Sequence, residues 1–314
     1  MWIDAMNQLD ASFRGWTIGL IGYGEVGRIL AEDLRARDVT RLLASDIKMG
    51  GPEGRFLIEH AARHGVEPVA DPKLLAERAD LVISAVTASQ AVAVAAAAAP
   101  GLRSGVWYLD VNSASPGAKA RAAELVAASG GRFVEGAVMT SVPPYRIKVP
   151  LLLGGPCATG LAPVLTALGF AAAVADERLG VASATKMCRS VMIKGLEAMV
   201  IESFTAARAY GVEDAVLASL AETFPGIDWE QTGAYFFQRV IQHGARRAEE
   251  MREVAQTVRE VGLDPWSAAG TAERQAWIAE LAGQGVFGPK DGDGFATSED
   301  WRVEADRILD HRRS

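Results

Sequence analysis

The chain of 314 residues is 49% apolar and 23% charged, with a net charge of -7. A chain of this length is too long to form a single ordinary hydrophobic core, which predicts two domains. The negative net charge argues against nucleic acid or an anionic membrane as the main partner, because both attract basic surfaces.

The sequence gives no sign of export, membrane insertion or metal binding. Cys157 and Cys188 lie outside any C-x-x-C or metal-ligand spacing. Residues 1–4 lack the basic and apolar regions of a signal peptide. The longest apolar run, residues 91–99, is shorter than the ~20 residues of a membrane span. We expect a cytoplasmic protein with no metal and with neither a membrane nor nucleic acid as partner.

In chain order, residues 1–176 alternate between short β-type runs and helical stretches. This alternation is typical of a parallel sheet with crossover helices. The predicted strands cover residues 17–21, 42–45, 69 onward, 81–86, 107–111, 133–139, 150–154 and 171–174. The predicted helices cover residues 26–37, 56–64, 90–99 and 116–128.

Beyond residue 176 almost every segment has a helical pattern. The predicted breaks lie near residues 211, 225–226, 262–265 and 283–293. The longest predicted helix, residues 182–209, would measure ~40 Å and could join two domains. The fold class is therefore α/β, with an N-terminal sheet domain at residues 1–176 and an all-α C-terminal domain at residues 177–314 for substrate binding and dimerisation.

A glycine-rich turn separates the first strand from the first helix. In a strand–G-x-G-x-x-G–helix unit, the first glycine permits a tight turn and the second lets the backbone approach a pyrophosphate. The third lets helix and strand pack closely, and the helix N-terminus attracts the anion. The pattern predicts a Rossmann-type dinucleotide-binding domain. The predicted binding residues are those of the turn: Gly22, Tyr23, Gly24, Glu25, Val26 and Gly27.

An acidic residue, Asp46, ends the second strand 24 residues after Gly22. A carboxylate there accepts hydrogen bonds from the ribose 2′-hydroxyl and repels a 2′-phosphate, so it favours NAD. Lys48 could instead reach a 2′-phosphate, and Arg28 and Arg55 are further cations with that potential. NAD is the predicted cofactor, and NADP stays open.

A lysine near the start of the long helix is the candidate acid/base residue. Lys186 follows the predicted domain boundary, where burial and nearby positive charge lower the pKa of a lysine toward the working range. Ser190 and Lys194 lie one and two turns further along the same face. They are candidates for binding a substrate oxygen and a distal anionic group. The alternative is an ordinary solvated helix face.

Four segments together resemble the β-hydroxyacid dehydrogenase superfamily, which includes 3-hydroxyisobutyrate, tartronate semialdehyde and 6-phosphogluconate dehydrogenases. They are the glycine turn and residues 110–116, 133–141 and 180–186. The resemblance extends over roughly residues 15–210, and the C-terminal half looks most like the poorly characterised phosphogluconate-dehydrogenase-like branch.

The resemblance implies roles for particular residues. Lys186 matches the lysine that acts as general acid/base on the substrate oxygen. Ser190 stands where the family usually has asparagine. Asn112 matches a cofactor-binding loop residue and Ser113 a substrate-binding one.

Two further loops match the family with departures. Val86 and Thr87 fall in the cofactor loop after the fourth strand, which here lacks its frequent proline. Thr140 and Ser141 replace a Ser-Gly-Gly segment that holds the substrate carboxylate. The loss of both glycines indicates an altered or larger carboxylate-binding site.

The C-terminal helices of such relatives complete the substrate cleft. His243, Arg247 and Glu250 share one predicted helix face, so His243 and Arg247 are candidates for binding a carboxylate or phosphate. The alternative is a solvated face with an Arg246–Glu250 ion pair. Tyr145 and Arg146, in a proline-flanked loop, are further candidates for substrate contact.

The sequence thus predicts an NAD(P)-dependent dehydrogenase that acts on CH–OH groups of a small carboxylate-bearing substrate, with Lys186 as general acid/base. Two alternatives stay open, an imine reductase and a non-catalytic NAD(P)-binding sensor. Because the helical half offers more amphipathic surface than its own core needs and the relatives are oligomeric, we also expect a homodimer.

Overall fold

The computed structural model describes residues 15–52, 54–291, 294–295 and 298–313; the N-terminal residues 1–4 discussed above lie outside this part. The chain forms two compact units, Met1–Met187 and Cys188–Ser314. The division falls inside the long helix, whereas the sequence pattern changes at residue 176. It lies later because the first turn of that helix is bound to the sheet unit, through Glu135.

The sheet unit is built on eight strands in the order β3-β2-β1-β4-β5-β6-β7-β8. They are β1 (Thr17–Ile21), β2 (Arg41–Ser45), β3 (Glu67–Pro68), β4 (Leu81–Ser84), β5 (Trp107–Asp110), β6 (Arg132–Val138), β7 (Leu151–Gly154) and β8 (Ala172–Asp176). Its helices are α1 (Glu25–Arg35), α2 (Gly54–Arg63), α3 (Pro72–Arg78), α4 (Ala91–Ala98), α5 (Pro116–Ala128), α6 (Val142–Tyr145) and α7 (Ala158–Ala167).

The central strands are parallel and buried on both faces. Leu20 of β1 is in register with Ile83 of β4, which is in register with Leu109 of β5. All three are almost fully buried. Strands covered on both faces have continuous apolar sequences, and such sequences predict these strands. The Rossmann-type sheet predicted from them is confirmed.

One strand pair departs from the predicted all-parallel sheet. β7 runs antiparallel to β6, with Ala137 in register with Leu152. Residues 139–150 carry only short helical turns, and a parallel connection normally needs a full crossover helix. A second, smaller departure is β3, which forms at Glu67–Pro68 rather than from Val69 onward.

A single 30-residue helix, α8 (Val181–Tyr210), leads from one unit into the other, as the sequence predicts. The helical unit continues with α9 (Glu213–Thr223), α10 (Trp229–Glu260), α11 (Trp266–Gly283) and α12 (Trp301–Arg313). A short hairpin of β9 (Lys290–Asp291) and β10 (Gly294–Phe295) is an addition to the predicted all-helical pattern.

Aromatic residues form the core of the helical unit. Phe204 of α8 packs against Trp301 of α12 with ring centroids 4.8 Å apart, and Phe237 of α10 lies 6.2 Å from the same indole. Gly233 allows this approach, because a Cβ there would lie 2.7 Å from the Phe204 ring. Among the described helices, none has the length and apolarity to cross a membrane.

Candidate active site

The glycine turn between β1 and α1 has the backbone that its sequence predicts. Gly22 adopts φ +94°, and a Cβ there would lie 2.3 Å from the carbonyl oxygen of Ala85. A Cβ on Gly27 would lie 2.1 Å from the carbonyl oxygen of Gly22. Both positions therefore exclude side chains for reasons internal to the protein.

The middle glycine, Gly24, is different, because a Cβ there would meet no described protein atom within 4 Å. Gly24 is the exposed N-cap of α1, and no side chain hydrogen bond caps this end of the helix in the described residues. The first turn of a helix offers unpaired N–H groups and a positive dipole. Open space beside these groups fits a dinucleotide pyrophosphate. Glu25 and Val26 begin the helix there.

The acidic residue at the end of β2 is bound to the glycine turn. Asp46 Oδ2 accepts the backbone N–H of Tyr23 at 2.7 Å, and Oδ1 accepts the backbone N–H of Lys48 at 2.8 Å. Each carboxylate oxygen can accept more than one hydrogen bond. Asp46 is thus fixed in place while it retains acceptor capacity for a ribose hydroxyl.

The side chain of Tyr23 itself is buried beneath the turn, where its hydroxyl hydrogen-bonds with His60 Nδ1 at 3.1 Å. Burial raises the pKa of Tyr23 to about 12, so the hydroxyl is neutral at physiological pH. Tyr23 supports the turn from below, and its backbone N–H is used by Asp46.

Two of the three cations considered for a 2′-phosphate, Arg28 and Arg55, have defined neighbours. Arg28 donates to the carbonyl of Gly24 at 3.3 Å, and its guanidinium lies 4.9 Å from the Phe56 ring. Arg55 pairs with Glu59 at 2.8 Å. Ile47, next to Asp46, was not among the residues predicted from the sequence. Its side chain is 96% exposed and offers an apolar surface suited to an adenine ring.

A buried amide connects the loops after β4 and β5. Asn112 Oδ1 accepts the N–H of Val86 at 2.6 Å, and its Nδ2 donates to Ser84 Oγ at 2.9 Å. Val86 in turn touches the glycine turn, since a Cβ on Gly22 would lie 3.0 Å from Val86 Cγ1. Asn112 therefore positions the cofactor loop. Thr87, next in this loop, is exposed.

The candidate acid/base residue lies beside this loop. Lys186 Nζ donates to Ser113 Oγ at 2.5 Å, and both side chains are half-buried. Ser113 follows Asn112 directly, so a continuous set of contacts leads from the glycine turn to the lysine. The structure brings Lys186 to the carboxyl edge of the sheet, where open α/β folds bind their ligands.

A buried carboxylate holds the first turn of α8. Glu135, in β6, accepts N–H groups from Gly180 at 2.8 Å and Ala182 at 3.1 Å, and the Ser183 hydroxyl at 2.7 Å. It is fully buried. Glu135 acts as an N-cap supplied from a neighbouring strand, and so fixes the position of Lys186 one turn later.

A second buried charge supports the β5 loop. Lys119 Nζ lies 2.9 Å from Asp110 Oδ1 and donates to the Asp110 carbonyl at 2.7 Å; both side chains are 1% exposed. Neither Glu135 nor Lys119 was predicted from sequence. A signal existed for both, because each is a charged residue next to an otherwise apolar strand or helix face.

The loop after β6 carries the other substrate candidates of the sheet unit. Thr140 is exposed, and Ser141 is the half-buried residue before α6. Tyr145 is exposed. Arg146 pairs with Glu32 at 2.7 Å and Asp33 at 2.8 Å on α1, so its guanidinium has a structural role within the sheet unit.

In the helical unit, the candidate residues lie among carboxylates. Ser190 is buried one turn after Lys186 on α8. Lys194 pairs with Glu250 of α10 at 2.5 Å. Burial lowers the pKa of Lys194, against the opposing effect of Glu250. Glu250 also accepts from Arg246 at 2.7 Å, so the helix ion pair considered in the sequence analysis is present.

Arg247 is buried and bonded to Glu197 of α8, and Gln275 of α11 donates to the same carboxylate at 3.3 Å. Arg247 Nε has no hydrogen-bond partner among the described residues. His243 is exposed, and partial burial followed by the charges of nearby arginines lowers its pKa. Thus Arg247 faces the interior while His243 faces outward.

Comparisons with known proteins identify both halves of the chain. A family model described as NADP oxidoreductase, coenzyme F420-dependent, matches residues 17–113. A model described as a domain of unknown function (DUF1932) matches residues 207–278. An uncharacterized 28.5 kDa protein of Methanothermus fervidus is 30% identical over 251 residues, which cover 79% of this chain and 93% of that protein.

Solved structures extend the similarity over most of the chain. A conserved hypothetical protein from Sinorhizobium meliloti 1021 is 38% identical with a TM-score of 0.74, over 96% of this chain and 98% of its own. A conserved protein of unknown function, described as structurally similar to 3-hydroxyacid dehydrogenases, is 30% identical with a TM-score of 0.65, over 85% of this chain and 99% of its own.

Two more distant structures share the fold. A 3-hydroxyisobutyrate dehydrogenase from Mycobacterium tuberculosis with L-serine is 16% identical at a TM-score of 0.68, over 93% of this chain and 99% of its own. A variant imine reductase from Myxococcus stipitatus with NAD+ is 17% identical at a TM-score of 0.53, over 93% of this chain and 99% of its own.

Proposed function

The chain belongs to the β-hydroxyacid dehydrogenase superfamily, and on this basis we propose that it transfers hydride between a nicotinamide dinucleotide and a β-hydroxyacid, or its aldehyde or ketone. The resemblance predicted from the four sequence segments is confirmed. The chain is thus an NAD(P)-binding oxidoreductase of the 3-hydroxyacid dehydrogenase-like family.

One observation carries the proposal, namely the contact between Lys186 and Ser113 at the end of a chain of contacts from the glycine turn. A lysine ammonium donating to a serine hydroxyl is a proton donor held at a fixed point of the cofactor edge. A non-catalytic dinucleotide sensor would have no need of such a group. This is what favours an enzyme over a sensor.

Several residues would hold the dinucleotide. The N-terminal turn of α1 beside Gly24 would bind the pyrophosphate, Asp46 a ribose hydroxyl and Ile47 the adenine. Asn112 fixes the loop at Val86, next to the expected place of the nicotinamide. When bound, the nicotinamide ring accepts or supplies the hydride at C4, and the protein contributes position and charge.

Lys186 would move the proton on the substrate oxygen. In the oxidation direction its neutral amine accepts the hydroxyl proton as hydride leaves the carbon, and in reduction its ammonium returns that proton. Ser113 keeps Nζ directed while the substrate enters, and Ser190 would direct the same oxygen one turn further along α8. General acid/base catalysis of this kind contributes roughly 10²–10⁴-fold in rate.

The substrate would carry a carboxylate, and Thr140 and Ser141 of the sheet unit are the candidates for binding it. The helical unit has its own candidates for binding an anionic group, Lys194, Arg247 and His243. Lys194 and Arg247 are already paired with Glu250 and Glu197. His243 is the exposed alternative. This arrangement supports a substrate that differs from those of relatives with a Ser-Gly-Gly carboxylate loop.

We propose NAD as the preferred cofactor. Asp46 lies where a 2′-phosphate would be repelled, and Arg28 and Arg55 interact with Gly24, Phe56 and Glu59 instead. The ratio of kcat/KM with NADH to that with NADPH tests this assignment. A strong preference for NADPH would contradict the assignment of Asp46 to the ribose hydroxyl and would favour Lys48 as a ligand of the 2′-phosphate.

The function is tested with a panel of β-hydroxyacids and cyclic imines, each assayed with both dinucleotides. We expect NAD-dependent oxidation of at least one hydroxyacid and no reduction of cyclic imines. Imine reduction with inert hydroxyacids would make the chain an imine reductase, a class that shares its fold. Tight NADH binding with no turnover of either class would support the sensor.

We also propose that the chain acts as a homodimer. Apolar side chains such as Met192 and Met199 of α8 and Trp266 of α11 are more than half exposed, and exposed apolar groups of this size favour burial in an interface. Light scattering at micromolar concentration tests the proposal, and a monomeric mass would contradict it.

A further inference from the structure

Folding brings two histidines and a carboxylate together beneath the glycine turn. His60 lies in the last turn of α2, His64 directly follows that helix, and Glu32 lies on α1. One candidate ligand atom from each residue lies within 4.8 Å of those of the other two. We propose that Glu32, His60 and His64 form a zinc-binding site that is separate from the substrate-binding residues.

The donor set suits zinc. Two imidazoles and one carboxylate bind Zn²⁺ at about 2.0–2.2 Å, and three protein ligands leave a fourth position for water. Tetrahedral bonds of that length separate neighbouring ligand atoms by about 3.3 Å. His60 Nε2 and Glu32 Oε1 already lie 2.9 Å apart. His64 and Glu32 are half-buried, so water and ions can reach them, and the His64 ring stacks on the His60 ring with centroids 4.5 Å apart.

The surrounding contacts are those expected of a metal site. Metal-binding histidines usually donate their second ring N–H to a fixed acceptor, and ligating carboxylates are themselves hydrogen-bonded. Tyr23 Oη lies 3.1 Å from His60 Nδ1, which leaves Nε2 for the metal. Arg146 Nη2 donates to Glu32 Oε2 at 2.7 Å, so Oε1, which shares a hydrogen bond with His60 Nε2 at 2.9 Å, is the oxygen that would turn to zinc.

The local charge balance also permits a divalent cation. Arg146, the nearest guanidinium, is paired with Asp33 at 2.8 Å as well as with Glu32. Because Asp33 balances Arg146, the Glu32 charge is available to a metal. We expected no metal from the cysteine spacings, but the i, i+4 histidine pair is a sequence signal for one face of a helix.

The experiment titrates the purified, metal-stripped full-length protein with Zn²⁺ in competition with a chromophoric chelator. We expect one zinc ion per chain. His64→Ala should weaken the zinc affinity by roughly tenfold or more, and Tyr23→Phe, which removes only the outer hydrogen bond, by about tenfold. His311→Ala, an exposed histidine of α12, and Cys188→Ser should bind zinc like the natural protein.

Circular dichroism of each variant verifies that it is folded. Because His60 is buried, the half-exposed His64 and the conservative Glu32→Gln change carry the test. Cobalt substitution adds a ligand-field spectrum of nitrogen and oxygen ligands. Failure of the natural protein to bind zinc, or zinc affinities of His64→Ala and Glu32→Gln that are unchanged from the natural protein, would overturn the proposal and leave a hydrogen-bonded network only. Neither result bears on hydride transfer, since the readout is metal binding.

Discussion

At the carboxyl edge of the sheet unit three polar side chains bind backbone N–H groups, whereas the buried cations Lys194 and Arg247 of the helical unit bind carboxylates. Asp46, Asn112 and Glu135 all accept from main-chain amides at the carboxyl edge of the sheet. In the helical unit, Lys194 binds Glu250, and Arg247 binds Glu197.

The difference explains what each unit can determine. Backbone amides are placed by the fold itself, so a side chain that accepts from them holds a loop in one position. An ion pair between side chains can exchange a partner for an incoming anion, at the cost of the displaced carboxylate. The sheet unit is therefore suited to a fixed loop geometry, whereas the ion pairs of the helical unit can exchange partners.

The largest expected effect separates two glycines of one turn. Gly22→Ala should lower the free energy of unfolding by about 4 kcal/mol or more. The backbone at this position has a positive φ, and the added methyl group would collide with the Ala85 carbonyl. Gly24→Ala should change this free energy by no more than about 1 kcal/mol. It should weaken NADH binding by about tenfold or more, or roughly 1.4 kcal/mol, because its methyl group occupies the expected pyrophosphate position.

Urea unfolding and NADH fluorescence titration measure the two quantities. Gly24→Ala with unchanged NADH affinity would contradict the placement of the pyrophosphate.

The next effect tests the self-paired charges of the helical unit. Arg247→Met leaves the nearly inaccessible Glu197 carboxylate without its cation, which should cost about 3–5 kcal/mol of unfolding free energy. The double variant Arg247→Met/Glu197→Gln should recover a large part of that loss, because no buried charge is left unpaired. Chemical denaturation of the two single variants and the double variant measures the coupling. Additive losses would show that the pair does not act as a unit.

A smaller effect tests the amide-bound carboxylate of the sheet unit. Glu135→Gln should cost about 2–3 kcal/mol, because Glu135 gives up charge-assisted hydrogen bonds from Gly180, Ala182 and Ser183. Ser183→Ala, the matched control, removes only one donor and should cost about 1 kcal/mol. Denaturation gives both values, and equal losses in the two variants would argue against Glu135 as the cap of α8.

The smallest effect concerns an exposed ion pair, Arg208 with Asp306. The hydrogen bond from Arg208 holds the pKa of Asp306 below its ordinary 3.8. A carboxyl whose pKa is lower in the folded state stabilises the protein above its ordinary pKa, and this stabilisation disappears as the pH falls through the folded value. Asp306→Asn should therefore be slightly less stable than the natural protein at neutral pH, with the difference shrinking below about pH 4. Arg208 itself is kept, because it also pairs with the buried Glu213. A difference that grows on acidification would reverse the assignment.

Local patterns in the sequence predict much of the fold and the cofactor edge. Gly22, Gly24 and Gly27 lie within six residues and have fixed geometric roles, and Asp46 follows the next strand. Strand and helix periods likewise depend on near neighbours, so α8 was predicted to within one residue at each end.

The parts that the sequence could not predict depend on distant pairings. Glu135 meets the start of α8 45 residues later, and Lys194 meets Glu250 56 residues later. The reversed direction of β7 also follows from packing, not from periodicity. Hydrophobic periodicity does not determine which buried carboxylate pairs with a given lysine. The assignment of substrate-binding residues in the helical unit therefore stays a prediction.

The most direct test of the central claim is the Lys186→Met variant, compared with the natural protein on the best hydroxyacid of the panel. We predict that kcat falls by about 10³-fold while the dissociation constant of NADH stays within about twofold, since Lys186 contacts Ser113 in the loop after β5 and is not among the predicted dinucleotide-binding residues. Turnover within tenfold of the natural protein would contradict the account and remove Lys186 from the chemistry.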